Sequence, residues 1–178
     1  MKDFLEETKK EQELLNIGMK QSILNKMERQ SLEKEVEYWI KSTLSRPNEI
    51  FGGLPPCPYA QKAWAEGKVK VLEDTFTYDY DKLISGELDV ILIVLKGATF
   101  KSLLDEKNSL TKNLSKRLVV LEDHPDANEE VLGYNLNFGK PCLFIQSRER
   151  LRLARDFLEN TEYYKNFDKE YKDDILSN

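Results

Sequence analysis

The segment Leu88–Leu95 constrains the fold of this chain more than any other feature of its sequence. Every residue in it except Asp89 is apolar, and β-branched side chains dominate. Such a run is typical of a strand that is covered on both faces, as strands of parallel sheets are. Residues 118–121 and 141–145 form two further apolar runs. The helical spacing of residues 99–114 then predicts a right-handed strand–helix–strand unit.

These elements predict the α/β fold class, with a mostly parallel four-stranded sheet flanked by helices and preceded by a long N-terminal helical extension. Residues 68–76 supply the fourth strand, near an edge of the sheet. A helix is expected over residues 148–160, and apolar residues at helical spacing from Tyr164 to Ile175 predict a final amphipathic helix. The predicted domains are residues 1–46, the helical extension, and residues 47–178, the α/β domain.

The N-terminal region, residues 9–45, contains no proline and one glycine, Gly18. Apolar residues at three- and four-residue spacing predict a buried helical stripe: Leu32, Val36, Trp39, Ile40 and Leu44. A weaker stripe precedes it: Leu14, Ile17, Leu24 and Met27. We interpret the region as two helices, or one bent helix, with a joint near residues 30–31. The first part is so polar that a protein partner or a second copy of the chain is expected to hold it helical; a homo-oligomer through this helix is one of these two alternatives.

Charge and composition narrow the classes of function. Lys and Arg number 27 against 32 Asp and Glu, which gives a net charge of -5. A mildly acidic chain lacks the positive field that nucleic-acid binding needs, so no nucleic-acid partner is expected. No apolar run approaches the roughly 20 residues that span a bilayer, so no membrane partner is expected either. An acidic start and only two cysteines predict a cytoplasmic protein.

Three loops follow the predicted strands at their carboxyl ends, where open parallel sheets bind their ligands. They begin at Lys96, at Glu122 and at Gln146. If all three strands are parallel, these loops lie at one edge of the sheet. A binding site for a small-molecule substrate is therefore expected at this edge, with Lys96 among the residues that contact the substrate.

The second loop contains the single histidine of the chain, His124, between Asp123 and Asp126. Histidine is suited to proton transfer near neutral pH, and a neighbouring carboxylate would fix its tautomer and raise its pKa. These residues are candidates for catalysis. Alternatively, His124 and Asp126 join Cys57 in holding a single divalent metal, or the loop is a solvated acidic turn.

The third loop places Ser147 at the N-cap of a helix, followed by Arg148. Helix N-termini attract anions, and arginine binds carboxylate or phosphate through two hydrogen bonds. Ser147 and Arg148 are therefore candidates for binding an anionic substrate. The alternative is that Arg148 belongs to a charged, solvated helix face.

Cys57 precedes Pro58 and Tyr59 at the expected start of a helix. The partial positive charge at such a position stabilises a thiolate and lowers the thiol pKa. Cys57 is thus a nucleophile, a metal ligand or a buried small residue, with Tyr59 beside it as a substrate contact. Cys142 lies within an apolar run and is expected in the core.

Several of these landmarks, taken in order, resemble one bacterial family, the domain of unknown function numbered fourteen-fifteen. The matching motifs are Trp39-Ile40, Cys57-Pro58-Tyr59-Ala60, Val90–Leu95, His124-Pro125-Asp126, and Leu143–Ile145 before Arg148-Glu149. The resemblance covers roughly residues 36–155. It implies that Cys57 and His124 form a paired signature facing a shared pocket, and it implies no particular reaction.

Two functional hypotheses follow. The first is a small enzyme that uses Cys57 and His124, or a mononuclear metal site, on a small substrate that an arginine holds by its anionic group. The second is a non-catalytic interaction module that docks a protein through its N-terminal and C-terminal amphipathic helices.

Overall fold

The computed structural model describes residues 2–76, 79–127 and 130–177, with side chains described from residue 17 to residue 176. The chain divides into two compact units, Met1–Glu35 and Val36–Asn178. Leu14 of the upstream stripe lies outside the described side chains. No helix within the described ranges is both long enough and apolar enough to cross a membrane.

The first helix, α1, runs without a break over Lys2–Trp39 and continues as one π-helical turn over Ile40–Leu44. The helix is continuous at residues 30–31, where two helices or a bend in one are predicted, and the change in helical winding comes at Ile40. Leu32, Val36 and Ile40 are buried, as their spacing predicts. In the first unit every residue from 17 to 31 is exposed.

The second unit is built on a four-stranded sheet. Its strands are β1 (Val69–Glu73), β2 (Val90–Val94), β3 (Leu118–Asp123) and β6 (Cys142–Ser147), and they lie in the order β1-β2-β6-β3. β1 pairs with β2 in parallel, whereas β6 runs antiparallel to both β2 and β3. The α/β class and the four strands are as predicted, but the sheet is mixed and the prediction of a mostly parallel sheet is wrong.

The connection between β3 and β6 explains the antiparallel strand. Its described residues form a small hairpin of β4 (Glu130–Val131) and β5 (Tyr134–Asn135) and contain no helix. A parallel neighbour needs a crossover of a dozen residues or more, usually a helix, whereas an antiparallel neighbour does not. β2 and β3 still run in the same direction, but β6 lies between them.

The helices of this unit are α2 (Ala60–Ala65), α3 (Tyr80–Ser85), α4 (Phe100–Asn113), α5 (Arg148–Glu159) and α6 (Lys169–Ser177). One face of the sheet packs against α3 and α4. Its core contains Ile91 and Ile93 of β2, Leu143 and Ile145 of β6, and Leu103 of α4. Successive strand residues alternate between faces, so Leu92 and Phe144 lie on the other face, which positions the candidate site.

The C-terminal segment covers a second, aromatic cluster. Phe51 is fully buried and stacks on Tyr163 with ring centroids 5.4 Å apart. Tyr164 and Phe167 belong to the same cluster, although both lie before α6. Much of the predicted C-terminal stripe therefore packs within its own unit, and the final helix begins later than its spacing suggests.

Candidate functional site

A cavity of about 550 Å³ opens on the second face of the sheet, within the unit Val36–Asn178. Its walls come from the end of α1, the loop before α2, one side of α2, strands β1, β2 and β6, and helix α5. Most of the lining side chains are apolar, among them Val36, Trp39, Ile40, Leu44, Leu92, Phe144, Leu151, Leu153, Ala154 and Phe157. This volume lies in the range that accommodates small-molecule ligands.

Strand alternation supplies the floor of the cavity. Leu92 pairs with Phe144, and Val90 pairs with Gln146, across the β2–β6 ladder. Trp39 covers this floor, with its ring centroid 6.1 Å from that of Phe144. Its indole Nε1 donates a 3.0 Å hydrogen bond to the carbonyl oxygen of Leu136. The polar atom of Trp39 is thus satisfied, and its ring is left as an apolar wall.

Helix α5 contributes an apolar rim that is open to solvent. Leu153 and Phe157, one turn apart, are 53% and 63% exposed and line the cavity. Large apolar side chains at the mouth of a concave apolar surface are a feature of ligand-binding and docking sites. The rim indicates that the cavity is accessible to a ligand from solution.

Charged groups gather at one end of the cavity. Arg150 donates hydrogen bonds to the Asp89 carboxylate and, at 3.0 Å, to the carbonyl oxygen of Leu88. Lys68 Nζ lies 2.7 Å from a Glu66 carboxylate oxygen, and Lys62 Nζ lies 3.9 Å from the other oxygen. Through its hydrogen bond and charge, Lys68 lowers the pKa of Glu66. This end of the cavity is therefore polar and ionised.

Cys57 lies in the cavity wall and is partly exposed. Its backbone N–H donates a 2.9 Å hydrogen bond to the Leu44 carbonyl oxygen. Burial raises the pKa of its thiol, which outweighs the hydrogen bonds from the backbone at Tyr59 and Ala60. The expectation of a lowered pKa is wrong because the thiol is buried. In addition, α2 begins at Ala60 with Tyr59 as its N-cap, so Cys57 is not the residue at the helix start.

Two other predicted residues border the same cavity. Tyr59 lines it with 39% of its surface exposed. Ser147 lines it at the start of α5, where its Oγ accepts a hydrogen bond from the Arg150 N–H at 3.3 Å, as expected for an N-cap. The loop before Cys57 is held by the Tyr163 hydroxyl, which donates to the Pro56 carbonyl oxygen.

His124 is 2% exposed and does not border the cavity. Its Nε2 lies 3.0 Å from the Ala98 carbonyl oxygen, and its Nδ1 lies 3.1 Å from the Asp126 backbone N. A carbonyl only accepts and an amide N–H only donates. Nε2 therefore carries the proton and Nδ1 accepts, so both nitrogens of the neutral ring are occupied by backbone groups.

The residues around His124 also make contacts within the fold. An Asp123 carboxylate oxygen accepts a 2.8 Å hydrogen bond from the Phe138 N–H. The carboxylate of Asp126 is 84% exposed and lies 3.8 Å from His124 Nδ1. At the end of β2, the Lys96 N–H donates to Asp74, and its ammonium group lies 3.1 Å from Glu73. Arg148 donates its backbone N–H to the Arg117 carbonyl oxygen.

The structure thus separates the predicted residues into two groups. Cys57, Tyr59 and Ser147 border one cavity, while His124 and Lys96 lie where β3 and β2 end. Leu118 pairs with Ser147, and Asp123 pairs with Cys142. Along β3, the Leu118–Ser147 pair lies about 17 Å from the Asp123–Cys142 pair, at roughly 3.4 Å per residue. Ser147 is therefore at the opposite end of β3 from Asp123, which precedes His124. The expectation that the three loops share one edge is wrong, because β6 runs in the opposite direction.

Metal binding was the alternative predicted for Cys57, His124 and Asp126. Among residues 2–76, 79–127 and 130–177, no three His, Cys, Asp or Glu side chains form a group that could hold a metal ion. The predicted catalytic and metal-binding roles of the three residues remain predictions.

Sequence reasoning missed the apolar half of the site. Trp39 was predicted as part of a helical stripe, and the strand residues Leu92 and Phe144 as core; all three also belong to the motifs of the family resemblance, but none was predicted to line a site. One signal in the sequence was that the apolar surface of α5 is wider than a single buried stripe requires. Leu151, Ala154 and Leu158 already form a stripe at helical spacing, yet Leu153 and Phe157 are apolar as well.

No family model, curated protein or solved structure matches this chain. The family resemblance remains a prediction.

Proposed function

We propose that this chain binds a small molecule with an apolar body and a polar end group in the cavity between β2, β6 and α5. The observation that supports the proposal is the cavity itself, which combines an apolar floor with ionised groups at one end. Ligand sites of this kind use apolar walls for affinity and a few polar groups for orientation. Cys57 contributes to the wall as a neutral thiol.

The structure favours ligand binding over a catalytic reaction that uses Cys57 and His124 as a pair. A base that activates a thiol has to come within hydrogen-bond reach of it. Cys57 borders the cavity, whereas His124 lies outside it and has both ring nitrogens engaged by backbone groups. The raised pKa of the Cys57 thiol also keeps the thiolate scarce at neutral pH.

Filling the cavity tests this proposal. Ala154 borders the cavity on α5, and Ala154→Phe adds a ring to it. The probe is N-phenylnaphthylamine, an apolar dye that accepts energy from tryptophan. In a Trp64→Phe background, Trp39 in the cavity wall is the single donor. We expect binding by the parent chain and a loss of affinity on the order of tenfold or more in the filled variant, about 1.4 kcal/mol.

Ala65→Phe is the matched control, because Ala65 is exposed on α2 and lies outside the cavity lining. Its affinity for the dye should equal that of the parent. Thermal unfolding of each variant shows whether its core is still cooperatively folded, because a loosened core would also bind the dye. Equal affinities of the two phenylalanine variants, both folded, would contradict the proposal.

A second candidate function, self-association through α1, is favoured by the surface of the first unit. Ile17, Met19, Ile23, Leu24 and Met27 are each more than half exposed. A helix with such side chains in water gains little stability from its own packing. Residues 2–35 contain seven basic and eight acidic side chains, so two copies would not repel each other through net charge. We therefore propose a second copy of this chain as the partner of α1.

The double variant Ile17→Glu/Leu24→Glu is expected to abolish self-association. Two carboxylates on the apolar stripe would have to be desolvated in any helix pair that uses it. Sedimentation velocity over a range of concentrations should show a dimer for the parent and a monomer for the variant. Ser22→Glu is the control, since residue 22 lies about 140° around the helix from residue 17. A parent chain that is monomeric throughout would contradict this candidate.

A further inference from the structure

We propose that the ligand of the cavity is an amphipathic anion, a carboxylate with an apolar tail, whose acidic group binds at the end formed by Lys62 and Lys68. The inference rests on the proposed binding function and adds the chemical class of the ligand. The polar end carries an excess of positive charge, and the remaining walls are apolar.

The polar end of the cavity has one positive charge in excess. Three cationic side chains border it, Lys62, Lys68 and Arg150, against the carboxylates of Glu66 and Asp89. Arg150 and Asp89 form a direct ion pair. Glu66 is shared between two lysines, with Lys68 in hydrogen-bond contact and Lys62 only at 3.9 Å. One ammonium group is therefore incompletely neutralised, and a ligand carboxylate would complete its pairing.

Neighbouring strands fix this arrangement. The Asp89 N–H donates a 2.8 Å hydrogen bond to the Lys68 carbonyl oxygen, which brings the starts of β1 and β2 together. Ser147 and Gln146 at the end of β6 also border the cavity here. Beyond this end the floor continues over Leu92 and Phe144. A molecule that places an acidic group among the lysines therefore has an apolar surface for the rest of its length.

The test displaces bound N-phenylnaphthylamine with three compounds of equal chain length: decanoate, decanol and decyltrimethylammonium, at neutral pH and below micellar concentrations. We expect decanoate to displace the dye at the lowest concentration and decyltrimethylammonium at the highest. Decanoate should lose its advantage over decanol in high salt, because salt screens exposed charges.

The variant Lys62→Gln/Lys68→Gln should remove most of the preference for decanoate over decanol, so that the two compounds displace the dye at similar concentrations. Lys101→Gln is the control for a lost lysine charge, because Lys101 is exposed on α4, which packs on the opposite face of the sheet. Dye binding that Ala154→Phe does not weaken would refute the proposed function. Dye binding in the cavity with equal displacement by decanoate and decanol would refute only the anionic class.

Discussion

Replacing Gly52 by alanine should lower the free energy of unfolding of the second unit by about 3 kcal/mol. Gly52 adopts φ +64°, a left-handed conformation that disfavours side chains. A Cβ at this position would also overlap the backbone carbonyl group of Glu162. The adjacent Phe51 ring is buried against Tyr163, so a movement of the loop would disturb this packing. Denaturant titration followed by tryptophan fluorescence measures the change.

The substitution Gly53→Ala separates the backbone strain from the steric overlap with Glu162. Gly53 has a similar φ of +79°, but a Cβ there would meet nothing within 4 Å. Only the conformational strain remains, and the expected cost is about 1 kcal/mol. Equal effects of the two substitutions would show that the Gly52 loop does not pack on Glu162 as described. Since the same loop leads to Cys57, the Gly52 variant should also bind the dye less tightly.

Replacing His124 by alanine should destabilise the second unit by about 2–3 kcal/mol. The substitution removes the hydrogen bond from Nε2 to the Ala98 carbonyl and the acceptor for the Asp126 N–H. It also removes the contact with the Phe100 ring, whose centroid lies 5.7 Å from that of the imidazole. The same denaturant titration applies, and ligand binding to the refolded variant should be unchanged.

Two matched variants separate the contribution of the His124 ring to stability from that of the Asp126 carboxylate. His124→Asn retains an acceptor for the Asp126 N–H and should recover part of the lost stability. Asp126→Ala retains that N–H and removes only an exposed carboxylate, so it should change stability by less than about 0.5 kcal/mol. If His124→Ala is as stable as the parent, the ring does not stabilise the fold. That result would contradict the structural role and favour the catalytic hypothesis.

The elements of the second unit were largely readable from local sequence. The apolar run at Leu88–Leu95 contains β2, and Ser147 is the N-cap of α5, as its residue type suggests. The short helix α3 and the hairpin β4–β5 were missed. Two-residue strands and a six-residue helix are too short for periodicity to distinguish them from loops.

The direction of β6 was not readable from its composition. A strand buried on both faces is apolar whether its neighbours are parallel or antiparallel, so Leu143–Ile145 fits either arrangement. The connection between β3 and β6 was a better signal of the direction of β6. Residues 124–141 contain two prolines and two glycines, a composition that disfavours a crossover helix. An antiparallel return was therefore the simpler interpretation.

The candidate site depended on that direction. With β6 reversed, Ser147 lies at the opposite end of the sheet from His124, and the predicted shared edge of the three loops is lost. What remains at Cys57 is a cavity assembled from side chains far apart in sequence, such as Trp39, Leu92 and Phe157. Each has an ordinary role in a local pattern, so only the tertiary structure reveals that they share one wall.

The most direct test of ligand binding in this cavity is amide chemical-shift mapping of the full chain during titration with N-phenylnaphthylamine. We expect saturable shifts at Leu92, Phe144, Ala154 and Phe157, with little change at Ala98 and His124. Shifts confined to the His124 end of the sheet or to α1, or no saturable shifts at all, would contradict this expectation.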